Sequence, residues 1–252
     1  AISVAIFVLL GIEHIRHQAR DSFASTVSGV DLIVGAKTGS LNLLLYSVFR
    51  MGAPTDNISW QAYQDIASDK DVAWAIPLSL GDSHKGFRVL GTSPEYFEYF
   101  SYGNKRKLAL SQGRVFGDIY DVVLGAEVAR ALGYTLGQEI ILAHGVVSTG
   151  FSLHDNHPFR VSGILEPTGT PVDQTVHVPL AGLDAMHAGP ATPSSPADSP
   201  ARQFTDAERV PESITAFMLG LKSRMVTFRL QREINAYTAQ PLLAILPGAA
   251  LS

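Results

Sequence analysis

Histidine is the residue type in this chain that is best suited to chemistry. His144, His154, His157 and His177 lie in one region of the sequence, and Asp155 follows the second of them. Imidazole and carboxylate groups are common ligands of Zn²⁺. His154 and His157 are therefore the candidate metal ligands. Their spacing matches no structural-zinc or metalloprotease signature, so ordinary histidines at the surface or at strand ends are the alternative.

Other catalytic patterns are missing from the sequence. Residues 35–39 contain a Lys-Thr pair but lack the G-x-x-x-x-G-K-[ST] order of a phosphate-binding loop. A serine nucleophile would need a G-x-S-x-G turn, which is not present. Asp118 and Asp121, like Asp206 and Glu208, lie in polar linkers, where we expect carboxylates to be solvated. The sequence therefore predicts no enzyme activity and no cofactor in this chain.

Composition excludes several classes of function. The chain has 252 residues, a formal net charge of -4 and no cysteine. This charge offers no broad basic surface for nucleic acid, and the lack of thiols excludes disulfides and thiolate metal sites. The mean hydropathy of +0.15 is high for a water-soluble protein, which points to an apolar segment beyond the core.

The N-terminal segment supplies such a stretch. Residues 1–12 are nearly all apolar, and residues 13–23 mix charged and apolar side chains with a spacing that suits a helix. A spanning helix needs about 20 apolar residues, so we interpret residues 1–28 as the outer end of a transmembrane helix and its stalk. An ordinary buried helix is the alternative.

Alternating and continuous apolar runs predict the remaining elements. The order is strand 30–36, helix 59–68, strands 72–80, 86–91 and 214–221, helix 225–237 and strand 241–246. If one strand is an edge extension or the split point, this order predicts a ferredoxin-like βαββαβ subdomain interrupted by a small all-β insertion. The fold class is then α+β. The predicted domains are 29–112 and 206–252 for the ferredoxin-like part and 113–205 for the insertion.

One apolar segment could serve either as core or as a contact surface. In residues 41–51, Leu44, Val48 and Met51 fall at helical spacing. An apolar face of this kind is either buried or covered by a partner. We take these three residues as the candidate partner-binding positions.

Residues 122–180 contain the most distinctive pattern. A strand leads through Gly125 into a helix that Gly133 can end, and a Pro-Thr-Gly-Thr-Pro corner at 167–171 separates two further strands. The pattern resembles the MacB-like periplasmic core domain of FtsX/MacB/LolC-type (type VII) ABC transporter permeases. The residues that carry the resemblance are Val123, Leu124, Gly125, Glu127, Ala129, Leu132, Gly133, Gly137, Ile140, Leu142, Phe159, Val161, residues 163–165, residues 167–171, Asp173, Val176 and residues 178–180.

The resemblance implies a function outside the membrane. Such permeases pair as homodimers or heterodimers and bind a cytoplasmic ATPase, which is the subunit that uses ATP. Their periplasmic domains turn its cycle into movement beyond the bacterial inner membrane, for export or lipoprotein release. The resemblance equally allows an FtsX-like relay that binds a periplasmic protein and regulates a hydrolase, and the histidine pattern allows a zinc-binding periplasmic domain.

Overall fold

The computed structural model describes Gly11 and residues 26–54, 56–142, 158–187 and 210–247. Most of the predicted membrane segment, residues 1–25, therefore lies outside the described part of the chain. Within the described part, no helix has the length and hydropathy needed to cross a membrane.

The described residues form fourteen strands and six short helices. The strands are β1 Leu32–Ala36, β2 Ile58–Ser59, β3 Val72–His84, β4 Phe87–Thr92, β5 Ser101–Tyr102, β6 Arg106–Lys107, β7 Leu110–Gly113, β8 Asp121–Leu124, β9 Glu139–Ile140, β10 Phe159–Leu165, β11 Thr175–Pro179, β12 Ser213–Ile214, β13 Ala216–Leu221 and β14 Leu242–Ile245. The helices are α1 Ser40–Phe49, α2 Trp60–Ala67, α3 Glu95–Tyr99, α4 Ala126–Leu132, α5 Leu180–His187 and α6 Thr227–Asn235, with 3₁₀ turns at Pro171–Gln174 and Arg224–Val226.

Four strands form the ferredoxin-like half of the sheet. Their spatial order is β14-β1-β13-β3, and all neighbours are antiparallel. Helix α2 lies between β1 and β3 in the chain, and α6 lies between β13 and β14. This is the predicted βαββαβ arrangement, with the long insertion placed between its second and third strands.

Helices cover this half of the sheet on both faces. Side chains of α2 and α6 pack with Leu32 and Val34 of β1, whereas α1 packs with Ile33 from the opposite face. Every residue of β1 is buried as a result. A strand that is covered on both faces must be apolar throughout, which explains its continuous apolar sequence.

The remaining strands extend the same sheet in the order β4-β11-β8-β10-β7, with β9 paired to β10. We call this part the distal half. It includes parallel pairs, β4 with β11 and β8 with β10. The prediction of an all-β insertion was wrong, because α4 and α5 fall within residues 113–205 and bury Val128 and Leu183 in the core of this half. Strand β4 also belongs here, although the domain boundary predicted at residue 113 would assign it to the first part.

Candidate functional site

The first and last strands of the ferredoxin-like half, β1 and β14, begin and end on the same side of the molecule. Strand register pairs Ile33 with Ile245, so the start of β1 lies beside the end of β14. The end of β13 reaches the same place, where the Leu221 amide donates to the Asp31 carboxylate at 2.8 Å. We call this side the proximal end. The predicted membrane segment precedes it in the chain.

The segment just before β1 is bonded to the body of the domain. The Ser28 amide donates to the Ser101 carbonyl at 2.8 Å, and the Ser101 hydroxyl donates to the Ser28 carbonyl at 2.7 Å. A further 3.4 Å contact joins the two hydroxyl groups. Residues that lead towards the proximal end are therefore held by the β5–β6 hairpin rather than by β1 alone.

One strand joins the proximal end to the distal half. The 13 residues of β3 pair with β13 through Val72 to Leu78 and with β4 through Ser79 to His84. At about 3.3 Å per residue the strand spans about 40 Å. Thr215 reinforces the change of partner, since its hydroxyl accepts from the Leu80 amide at 3.0 Å.

A buried polar cluster lies where the two halves meet. It consists of Arg50 after α1, Tyr96 of α3 and His177 of β11. The Arg50 guanidinium donates to the Ser47 carbonyl and lies 3.4 Å from the Tyr96 hydroxyl. The Tyr96 ring in turn lies 5.3 Å from the imidazole of His177, measured between centroids. The cluster thus links three elements that come from both halves of the sheet.

The environment of His177 determines its charge. The side chain is fully buried, and its Nδ1 donates to the Val123 carbonyl at 3.1 Å. Since a carbonyl only accepts, Nδ1 carries the proton and Nε2 is left as an acceptor without a partner. Burial, with a smaller contribution from the Arg50 charge, lowers the pKa of His177 to about 3. His177 is therefore neutral at physiological pH and is not a surface metal ligand.

The Pro-Thr-Gly-Thr-Pro corner is a closed turn held by Asp173. Its carboxylate accepts from the Thr168 amide and hydroxyl, each at 2.8 Å, and from the Gly169 amide at 2.7 Å. A Cβ atom at Gly125 would lie 2.3 Å from the Val172 carbonyl oxygen. The glycine before α4 and the acidic residue after the corner are thus two parts of one tight contact, which accounts for their place in the sequence pattern.

Asp121 differs from the prediction that it would be solvated. It is 3% exposed, and its Oδ2 accepts from Arg114 at 2.6 Å and from the Gly117 and Asp118 amides at 2.7 and 2.9 Å. A buried carboxylate is stable only when it is bonded in this way. Its role is to close the loop before β8, and no acid or base chemistry follows from it.

The candidate partner-binding residues do not share one exposed surface. Leu44 and Val48 are buried in the core, so the prediction that they face a partner was wrong for both. Helix α1 packs on the sheet, and this turns their side of the helix inward. Met51 follows the helix and is 58% exposed, so a contact role for this residue stays a prediction.

The candidate metal ligands His154 and His157 lie outside the described residues, and zinc binding by them stays a prediction. In residues 26–54, 56–142, 158–187 and 210–247, no group of three or more histidine, aspartate or glutamate side chains is close enough to hold a metal ion.

Sequence reasoning missed two features. Arg50 adopts a left-handed conformation with φ of 58°, a position that glycine usually takes, so no glycine marked the end of α1. Met225 and Phe228 are 92% and 67% exposed beside the proximal end, and no sequence pattern singled them out. Their spacing of three residues places them on one side of the chain.

Comparisons with known proteins agree with this architecture. A family model described as the MacB-like periplasmic core domain matches residues 1–236. The chain belongs to this family. It is therefore the periplasmic domain of a MacB/FtsX-like ABC transporter permease, a membrane-anchored protein with this domain outside the membrane.

Two solved structures share the fold of this MacB-like domain. The periplasmic region of MacB from Actinobacillus actinomycetemcomitans is similar with a TM-score of 0.55 and 13% identity, over 88% of this chain and 91% of that one. The extracellular domain of the noncanonic ABC-type transporter YknZ from Gram-positive bacteria gives a TM-score of 0.50 and 11% identity, over 86% and 98%. A comparison with curated proteins found no match.

Proposed function

We propose that this domain is a rigid transmitter in an ABC transporter. ATP hydrolysis by a partner ATPase subunit in the cytoplasm moves the membrane helices of the permease, and the domain carries that movement into the periplasm. The chain itself hydrolyses nothing. The observation that supports this role most strongly is the single strand β3, which runs from the proximal end into the distal half.

A sheet suits this task because β3 pairs with strands of both halves, so a movement applied at one end is passed along it to the other. The force would enter at the proximal end, where the start of β1 and the end of β14 are neighbours. The Ser28–Ser101 bonds would pass it directly to the body of the domain. The distal half, at the far end of β3, would then meet a periplasmic protein or the exported molecule. A second permease copy, identical or related, would complete the transporter in the bacterial inner membrane.

The first test concerns the partner. Full-length protein is purified from membranes in detergent, the bound proteins are identified by mass spectrometry, and ATP hydrolysis by the complex is measured. We expect an ATPase subunit to copurify and to be active. Recovery of the permease without any nucleotide-binding protein, and with no ATP hydrolysis, would refute the proposal.

The second test concerns rigidity. Because this chain has no native cysteine, Ser28→Cys with Ser101→Cys can form one defined disulfide. A rigid transmitter predicts that oxidation leaves the ATP hydrolysis and transport of the complex unchanged. If oxidation stops the cycle and a reductant restores it, the segment before β1 must detach during transport, and the rigid model is wrong. The single variant Ser28→Cys controls for the loss of the Ser28 hydroxyl.

A further inference from the structure

A small surface cleft lies between the end of α1 and the β3–β4 hairpin. Arg50 and Arg88 both line it, together with Gly52, Leu80 and Gly81. Arg88 also donates to the Gly52 carbonyl at 2.8 Å, which holds its guanidinium at this place. Two positive side chains from different elements therefore meet in one cleft.

Neither arginine has a carboxylate partner. In the described part of the chain, no aspartate or glutamate oxygen lies within 4.0 Å of Arg50 or Arg88. This distinguishes them from Arg114, Arg130 and Arg229, each of which has a carboxylate at 2.6 Å or less.

Of the two charges, that of Arg50 is the more costly, because Arg50 is buried. Arg50 is 9% exposed, and within the described residues its guanidinium hydrogen-bonds to the Ser47 carbonyl and the Tyr96 hydroxyl but to no carboxylate. Its Nε is buried without a hydrogen-bond partner. His177 cannot supply a negative charge, because an imidazole is neutral or positive. The carbonyl groups at the end of α1 offset part of the charge. A buried cation normally requires more than this.

We propose that the Arg50–Arg88 cleft binds a small oxyanion of the carboxylate or phosphate type. Guanidinium N–H donors match either kind of group, and in the described part of the chain the Nε–H of Arg50 has no hydrogen-bond partner. Space beside Gly81 is open, since a Cβ atom there would meet nothing within 4 Å. The enclosed space holds about one water molecule, so one oxygen of the anion would enter it while the rest of the group stays on the solvent side. This inference does not depend on the proposed transport function.

A bound anion would join three elements. Arg50 follows α1 of the ferredoxin-like half, Arg88 lies on β4 of the distal half, and Gly81 belongs to β3 between them. Occupancy of the cleft would therefore strengthen the contact between the two halves of the sheet.

The test is calorimetric titration of full-length protein in a phosphate-free detergent. Inorganic phosphate and acetate are titrated separately, with sodium chloride keeping the ionic strength constant. We expect saturable binding of at least one of them, and the preferred ion identifies the type of group. Arg88→Gln should weaken binding about tenfold, because one charged contact of this kind is worth about that factor.

Arg160→Gln is the matched control. Arg160 is exposed on β10, three strands away from β4, and the substitution makes the same change in net charge. It should leave binding unchanged. Arg50→Lys keeps the charge but loses the paired donors, and it should weaken binding in a protein that still folds. The proposal is overturned if neither ion binds saturably, or if Arg88→Gln and Arg160→Gln bind as the unchanged protein does.

Discussion

Replacing His177 by asparagine should remove a strong dependence of stability on pH. Burial and the nearby Arg50 charge lower the pKa of His177 to about 3 in the folded domain, whereas a histidine in the unfolded chain has a pKa of about 6.5. Between these values the unfolded chain binds a proton that the folded domain does not. Stability is therefore greatest above pH 6.5 and falls as the pH is lowered towards 3.

The size of the effect follows from linkage. One unit of pKa difference corresponds to about 1.4 kcal/mol, so His177 alone should cost the domain about 2 kcal/mol between pH 7 and pH 5. His84 acts in the same direction, because burial lowers its pKa as well. The asparagine variant should retain the His84 contribution and lose that of His177.

Urea unfolding of the domain at pH 7 and pH 5 measures both free energies. Asparagine can donate to the Val123 carbonyl in place of Nδ1 but cannot titrate. We expect the loss between the two pH values to be about 2 kcal/mol smaller in His177→Asn than in the unchanged domain. Equal losses in the two proteins would show that His177 is not the buried neutral base described here.

Further predictions concern packing and turns. Leu44→Ala should lower the free energy of unfolding by about 2–5 kcal/mol because Leu44 is fully buried, while Met51→Ala should change it by less than about 0.5 kcal/mol; urea midpoints check both. Gly125→Ala should be destabilising by about 1–3 kcal/mol through its clash with the 3₁₀ turn, and Gly133→Ala by about 1 kcal/mol through its φ of 67° alone, measured in the same way. Asp173→Asn should lower the thermal midpoint by several degrees, because one amide oxygen cannot replace the carboxylate that accepts three hydrogen bonds; an unchanged midpoint would contradict this.

The sequence predicts the parts of the fold that depend on local pattern. The continuous apolar run of β1 and the glycine that ends α4 are both visible in the residues, and the structure confirms both. Two positions of the family signature share one physical contact, in which Gly125 lets the chain before α4 touch the turn closed by Asp173.

Features that depend on distant partners could not be predicted in this way. Helical spacing shows that Leu44 and Val48 share a side of α1, but it does not show whether sheet or solvent meets that side. Asp121 is in a polar segment, and only the fold brings Arg114 and two amides to its carboxylate. Arg50 gives no sign of its burial, because its surroundings come from α3 and β11.

The junction between the halves is the place where the large sheet is least regular. The β3–β4 pairing changes register between Leu80 and Ser83, and Gly81 has a φ of 152°, so the ladder is interrupted beside the change of partner. The backbone ladder between β3 and β4 is therefore not continuous at this point. Side-chain contacts therefore add to the contact between the two halves here. The cluster of Arg50, Tyr96 and His177 crosses the junction at this point. A cluster with unsatisfied buried groups lowers stability, and this one contributes instead by packing α3 and β11 against the residue that ends α1.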